Sequence, residues 1–251
     1  MDVSHKFFTI AAILAAAFAQ YGLLPANAHA DDQQTAAAAT LTAGYSEKYS
    51  FKINGKSIGE QSATLVKVDN GVQTWKFDIN LQVPINTQTY SLKQTGTYVL
   101  ASDYSPLSLD TVAVANGATQ SEKLIFSDTG VNVTLDPVQP EIASSIPVLG
   151  RPHLLVNNLV SLVSLATRAT FAKQVGAYSF SVFSGTVLRQ VFVSLKPSAD
   201  QQAVNSPFRV FDATMSAPGL PDTINQYYLS STTGELLRCT DRAQGLEITK
   251  E

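Results

Sequence analysis

The stretch Trp75-Lys76-Phe77-Asp78-Ile79-Asn80-Leu81-Gln82-Val83 decides the fold. Every odd position is large and apolar, and every even position is polar or charged. Side chains alternate between the two faces of a pleated strand, so this pattern is a β-strand with one dry and one wet face. Turn signals flank it at regular intervals: Asn54-Gly55, Asp69-Asn70-Gly71, Asn116-Gly117 and Asp128-Thr129-Gly130. Asn-Gly favours the positive φ angles of tight hairpins. The alternation continues through Tyr90, Leu92, Gly96, Tyr98 and Leu100, then Leu124 with Phe126, then Val131, Val133 and Leu135. Strands separated by hairpin turns make an antiparallel meander, because parallel strands need long crossovers. About six to eight strands are expected before Pro137.

Between Pro137 and Gly176 the period changes. Pro137, Pro140 and Pro147 mark an extended connector, and Pro152 suits the first turn of a helix, where its missing N–H costs nothing. Leu155, Val156, Leu159, Val160, Leu162, Val163, Ala166, Ala169 and Phe171, placed at 100° per residue, cover an arc of about 200°. Ser164 falls on the narrow polar arc that is left. Arg168 is the one charged residue between Pro152 and Ala172. The expectation is a long apolar helix over residues 152–172 that protein, ligand or membrane surface must cover. Asn157, Asn158 and three serines argue against a spanning segment. Alternation resumes at Tyr178, Phe180 and Val182 and runs through Val187 to Leu195, Phe208 with Val210, and a last hairpin from Gln226 past Gly234. The fold class expected is mainly β: one curved, half-barrel-like antiparallel sheet with the helix packed on it.

The first thirty residues read as an export signal. A basic start (His5, Lys6) precedes an apolar run from Phe7 to Ala19, and Ala28-His29-Ala30 presents small residues to a signal peptidase. The run is shorter than the roughly 20 residues a bilayer core demands. A cleaved signal over residues 1–30, a disordered lead-in over 31–43 and a single domain over 44–251 follow, with a periplasmic location. Residues 1–30 hold one acid and one base of the chain's 20 acids and 17 bases, so removing them leaves the net charge at -3. No polyanion-binding surface is implied, and a nucleic-acid partner is not expected.

Several chemistries lack their residues. His153 is the single histidine after residue 30, and no C-x-x-C, H-E-x-x-H, P-loop or G-x-G-x-x-G pattern occurs. Neither a metal nor a cofactor is expected, and no catalytic residue is assigned. Cys239 is the only cysteine, so no internal disulfide forms. Asp110, Asp212 and Asp222 are ordinary surface acids by pattern. Arg189 departs from its surroundings: it shares a strand face with Val187, Val191, Val193 and Leu195, where a charge needs a partner. It pairs with an acid or ends the strand in solvent, or it holds an anionic head group. Gln94, on the face of Tyr90, Leu92 and Tyr98, raises the same question.

Tyr49-Ser50-Phe51-Lys52-Ile53-Asn54-Gly55-Lys56-Ser57-Ile58-Gly59-Glu60 resembles the opening of a group of exported bacterial domains of unknown function. The resemblance extends to the Pro-flanked apolar helix and to Tyr227-Tyr228-Leu229 before Thr233-Gly234-Glu235-Leu236-Leu237, covering residues 45–240. It implies an open half-barrel sheet partly wrapped round a helix, similar in outline to periplasmic lipoprotein and lipid carriers. It implies no catalytic residues.

Residue pattern and resemblance together favour a non-enzymatic periplasmic protein binding an apolar or amphipathic, lipid-like molecule. Leu155, Leu159, Leu162 and Val163 would form the helix wall of its cavity, with Arg189 and Gln94 as polar handles. The alternatives are a scaffolding envelope protein with a dry core, whose partners are other envelope proteins, and a hydrolase whose acids are gathered only by the fold.

Overall fold

Three Asn-Gly turns carry the meander. Asn54-Gly55, Asn70-Gly71 and Asn116-Gly117 all hold both residues at positive φ, the type I′ geometry whose twist matches that of the flanking strands. In the computed structural model of the chain the described residues are 41–85, 87–150, 152–155, 159–171, 177–184, 188–199, 206–217 and 220–251. The expected export signal and residues 31–40 of the expected lead-in lie outside them. Leu41, at the end of that lead-in, is buried in the core, so tertiary packing already holds residue 41.

Seven strands precede Pro137: β1 Ser46–Ile53, β2 Lys56–Asp69, β3 Val72–Ile85, β4 Gln88–Leu100, β5 Pro106–Ala115, β6 Ala118–Phe126 and β7 Gly130–Asp136. Short strands β8 Ser145–Pro147 and β9 His153–Leu155 follow, then helix α1 Val160–Thr170. The remaining strands are β10 Tyr178–Ser184, β11 Arg189–Pro197, β12 Phe208–Ala217, β13 Leu220–Ser230, β14 Leu236–Asp241 and β15 Leu246–Lys250. They form one sheet ordered β8-β7-β6-β5-β4-β3-β2-β1-β15-β14-β13-β12-β11-β10-β9. Every pairing is antiparallel except β9 with β10, where the chain returns through α1 as a parallel crossover requires.

The sheet is strongly curved. β6 is third and β10 fourteenth in the order, so in a flat sheet they would lie about 50 Å apart at the usual strand spacing. Yet the rings of Phe126 and Phe183, one on each, meet edge to face at 5.6 Å. Gln190 of β11 also brackets the backbone of Leu149, just past β8, donating to its C=O and accepting from its N–H. The sheet curls until its two ends approach without pairing, an open, half-barrel-like form. Trp75, Phe77, Ile79, Leu81 and Val83 all point into its concavity and are buried.

The helix differs from expectation. It is 11 residues long rather than spanning 152–172, and His153–Leu155 is a strand. A short apolar run suits a buried strand as well as a helix, and backbone pairing of His153, Leu154 and Leu155 with Val182, Phe183 and Ser184 decides the matter. At 1.5 Å per residue the helix is about 17 Å long. No described helix is long and apolar enough to cross a membrane. The cover it needs comes from the protein itself: Val160, Ser161, Leu162, Ser164, Leu165, Ala166, Thr167, Arg168 and Ala169 are all buried, so the polar arc faces protein instead of water.

Local chemistry fixes both helix ends. No side chain of the chain's own first turn caps α1; instead Gln61 of β2 accepts hydrogen bonds from the N–H groups of Val160 (2.7 Å) and Ser161 (3.3 Å), supplying the acceptor those orphan donors lack. At the other end Phe171 packs where a side chain on Gly234 would stand, 2.2 Å from its Cβ. Gly234 also has φ +70° in the β13–β14 turn, so both space and backbone demand glycine there.

Candidate functional site

The helix brings one charge into the concavity, and its partners define the most polar part of the interior. Arg168 donates from Nη2 to Glu235 at 2.7 Å and to the Tyr45 hydroxyl at 2.7 Å, and its Nε lies 3.9 Å from Glu47. Lys250 of β15 reaches the same group, 3.8 Å from Glu47 and in contact with Glu235. Tyr45 donates its proton to a carboxylate of this pair, lying 2.9 Å from both Glu47 and Glu235. Ser164 donates to Glu47 and accepts from the N–H of Leu236, tying helix to strand β14. Two cations face two carboxylates, so the cluster is neutral as a set.

Desolvation governs its titration. Burial pushes the Glu47 carboxyl above its ordinary value, while Lys250 and Arg168 pull it back. Burial likewise lowers the Lys250 ammonium, opposed by Glu47. The Tyr45 and Tyr49 hydroxyls are pushed up by burial and by Glu47. Glu47 is only 1% exposed and Glu235 lies at the half-buried edge of the cluster, and together they lock α1 onto β1, β14 and β15. A buried cluster of this kind costs desolvation that its own pairing must offset.

A second polar group lies on the concave face of β4, β5 and β6. Gln94 donates from Nε2 to Thr111 Oγ1 at 3.2 Å, and Thr111 donates to the C=O of Thr95 at 3.0 Å. Glu122 is the direct cross-strand neighbour of Thr111 and of Leu135. The Glu122 residue is partly exposed, but its Oε1 is buried and accepts no hydrogen bond. Burial pushes this carboxyl up to about 8.

A third feature is apolar. Leu154, Val163, Ala166, Phe180, Val182, Val193, Met215 and Tyr227 line a narrow space between α1 and strands β9 to β13, with a cavity of about 10 Å³ and the rest gaps between side chains and open solvent.

The residues singled out from sequence fall in different places. Val163 lines the apolar pocket, whereas Leu159 and Leu162 are buried in the packed core. Leu155 lies in β9 opposite Ser184, its side chain outside the described part. Arg189 opens β11, exposed, at the solvent end of the face shared with Val191, Val193 and Leu195; Val187 lies outside the described residues. Arg189 stands four residues, roughly 13 Å, along the strand from Val193 in the pocket. Gln94 is buried and joined to Thr111. Cys239 is buried, its thiol pushed up to about 12 by desolvation, and is inert. His153 packs edge-on to Phe180, and desolvation lowers its pKa.

Glu47, Glu235 and Lys250 escaped sequence reading. One signal was present: Glu47 shares the dry face of Tyr49 and Phe51, the same anomaly that drew attention to Arg189. Arg168, alone in an apolar helix, needed such a partner. Which acids it would find depends on contacts across 121 residues to Glu47 and 67 to Glu235 and could not be read locally.

No protein-family model matches the chain, and no curated protein matches it. Among the solved structures that are similar are two domains of unknown function. One is a beta-barrel-like protein of the domain of unknown function DUF1849 from Brucella abortus, with a TM-score of 0.51 and 13% identity, covering 82% of this chain and 94% of that one. The other is a DUF1089 family protein from Pseudomonas aeruginosa, with a TM-score of 0.44 and 5% identity, covering 70% and 87%. The first likeness supports the curved open sheet and speaks to fold alone.

Proposed function

We propose that the protein is a non-enzymatic binding protein of the periplasm that takes an apolar or amphipathic molecule. The observation that carries this reading is the pocket between α1 and β9–β13, whose eight lining residues are all apolar in body. The enclosed part of that space is only about 10 Å³, room for about one water, so an apolar chain enters only as the lining side chains move apart. In this reading Arg189, at the exposed start of β11 on the same sheet face, would meet the anionic head group of such a chain.

The competing reading is a scaffolding envelope protein. It is favoured by the enclosed Arg168–Glu47–Glu235–Lys250 cluster and by a helix that the protein's own sheet covers. A hydrolase finds less support, since its best carboxylate pair, Glu47 and Glu235, is committed to Arg168 and Lys250.

Native mass spectrometry of protein taken from its own periplasm separates the two. The binding reading expects a polypeptide mass beginning at Asp31 with a co-purifying amphiphile, lost in Val163→Phe, which fills the pocket. It also expects Arg189→Ala to reduce occupancy by anionic more than by neutral chains. No bound mass above background, with Val163→Phe unchanged in every respect, leaves the scaffold.

A further inference from the structure

We propose that Gln94, Thr111 and Glu122 form a second binding site, on the concave face of β4–β6, for the ammonium end of a small primary amine. This site is independent of the apolar pocket. Three observations carry it.

The first is an unanswered carboxyl. Glu122 Oε1 is buried without a hydrogen-bond partner, although buried polar atoms are almost always paired. Thr111 cannot serve it as donor, since its hydroxyl proton goes to Thr95 O.

The second is charge. The charged residues of the same and adjoining strands, Lys76, Asp78, Lys93, Asp110, Lys123 and Asp136, alternate onto the convex face and are exposed. The cross-strand neighbours of Glu122 are the uncharged Thr111 and Leu135. Desolvation is the one cause that shifts its titration, with no cation opposing it. A carboxyl on this face therefore lacks a positive partner, and an ammonium group with three N–H donors supplies both charge and protons.

The third is the wall. Gly96 stands opposite Thr111 and Ala113 opposite Gln94 in the register, so no large side chain rises from β4 or β5 at this point. The ring of Phe77 lies over Gly96, 2.9 Å from where a Cβ would be, and offers an aromatic wall against which a cation is favoured. The second lone pair of Thr111 Oγ1 is a further acceptor on the strand next to Glu122, and Gln94, hydrogen-bonded to Thr111, lies one strand further on. In binding, the ammonium keeps its protons, Glu122 loses the one it holds near neutral pH, and that proton passes to buffer.

Isothermal titration of the whole protein with n-hexylamine and with n-hexanol at neutral pH tests this. The amine is expected to bind one to one, at least tenfold tighter than the alcohol, with release of up to one proton, read by comparing buffers of different ionisation enthalpy. Glu122→Gln, which keeps the side chain's shape, is expected to bind amine and alcohol alike and to release no proton. Val163→Phe is expected to leave amine binding untouched, so failure of the apolar-pocket reading leaves this one standing. Absence of amine binding, equal affinity for amine and alcohol in the parent protein, full retention in Glu122→Gln, or loss in Val163→Phe would each overturn it.

Discussion

Arg168 is a buried ionisable residue and Glu122 a partly exposed one with a buried carboxyl oxygen, and their circumstances are opposite. Arg168 is answered by Glu47, Glu235 and Tyr45, so removing it leaves an unbalanced negative charge beneath the helix as well as lost packing of its stem. Arg168→Ala is expected to cost about 3–5 kcal/mol in urea denaturation at neutral pH. The loss shrinks toward acid pH, because Glu47 already sits above its ordinary value and takes up a proton there. The same cluster revises what the polar arc of α1 suggests. Ser164 is buried against Glu47, so an aspartate there meets a like charge in the interior rather than water. Glu122 behaves in the reverse sense. Its carboxyl rises from 4.5 to about 8 on folding, so between those pH values the folded chain holds a proton that the unfolded chain has released. Stability therefore falls as pH rises through that window and is unaffected below it. Glu122→Gln is expected to match the parent at about pH 4 and to be more stable by about 1–3 kcal/mol at about pH 8, measured by denaturant titration at both.

At the scale of elements, α1 is held from outside itself. Its propensity is modest, with two threonines and two serines in eleven residues, and a helix this short is marginal alone. Gln61 caps its start, and Gly234 in the β13–β14 turn leaves the space for Phe171 at its end. Gly234→Ala combines a strained positive φ with a methyl group set into the Phe171 ring, and a loss of about 2–4 kcal/mol is expected by thermal or denaturant unfolding. The same substitution at Gly117, where φ is +83° but nothing lies within 4 Å, isolates the backbone part and should cost about 1 kcal/mol. Equal losses at the two glycines would mean that Phe171 does not pack as described.

For the whole molecule, the central seam is where the ends of the meander meet. β15 pairs with β1 across nearly the full described length of the chain, Tyr49 opposite Lys250 and Ile53 opposite Leu246, and the charged cluster sits over this seam through Glu47 and Lys250. Alternation and Asn-Gly turns act between residues a few positions apart, so strand identity, hairpin order and the mainly β class are written locally, as Trp75–Val83 and its flanking turns make plain. The apolar run around residues 152–172 is locally ambiguous, because strand and helix each bury it; pairing of His153–Leu155 with β10 had to choose between them. The fate of a charge on a dry face is also non-local. Arg189 and Glu47 look alike by position, yet one emerges at a strand end and the other is enclosed by Arg168 and Lys250. Curvature, the covering of α1 and the placing of Glu122 opposite Thr111, with Gln94 bonded to Thr111, arise from contacts between residues far apart in sequence. Desolvation strength depends on that enclosure, and no local pattern encodes it.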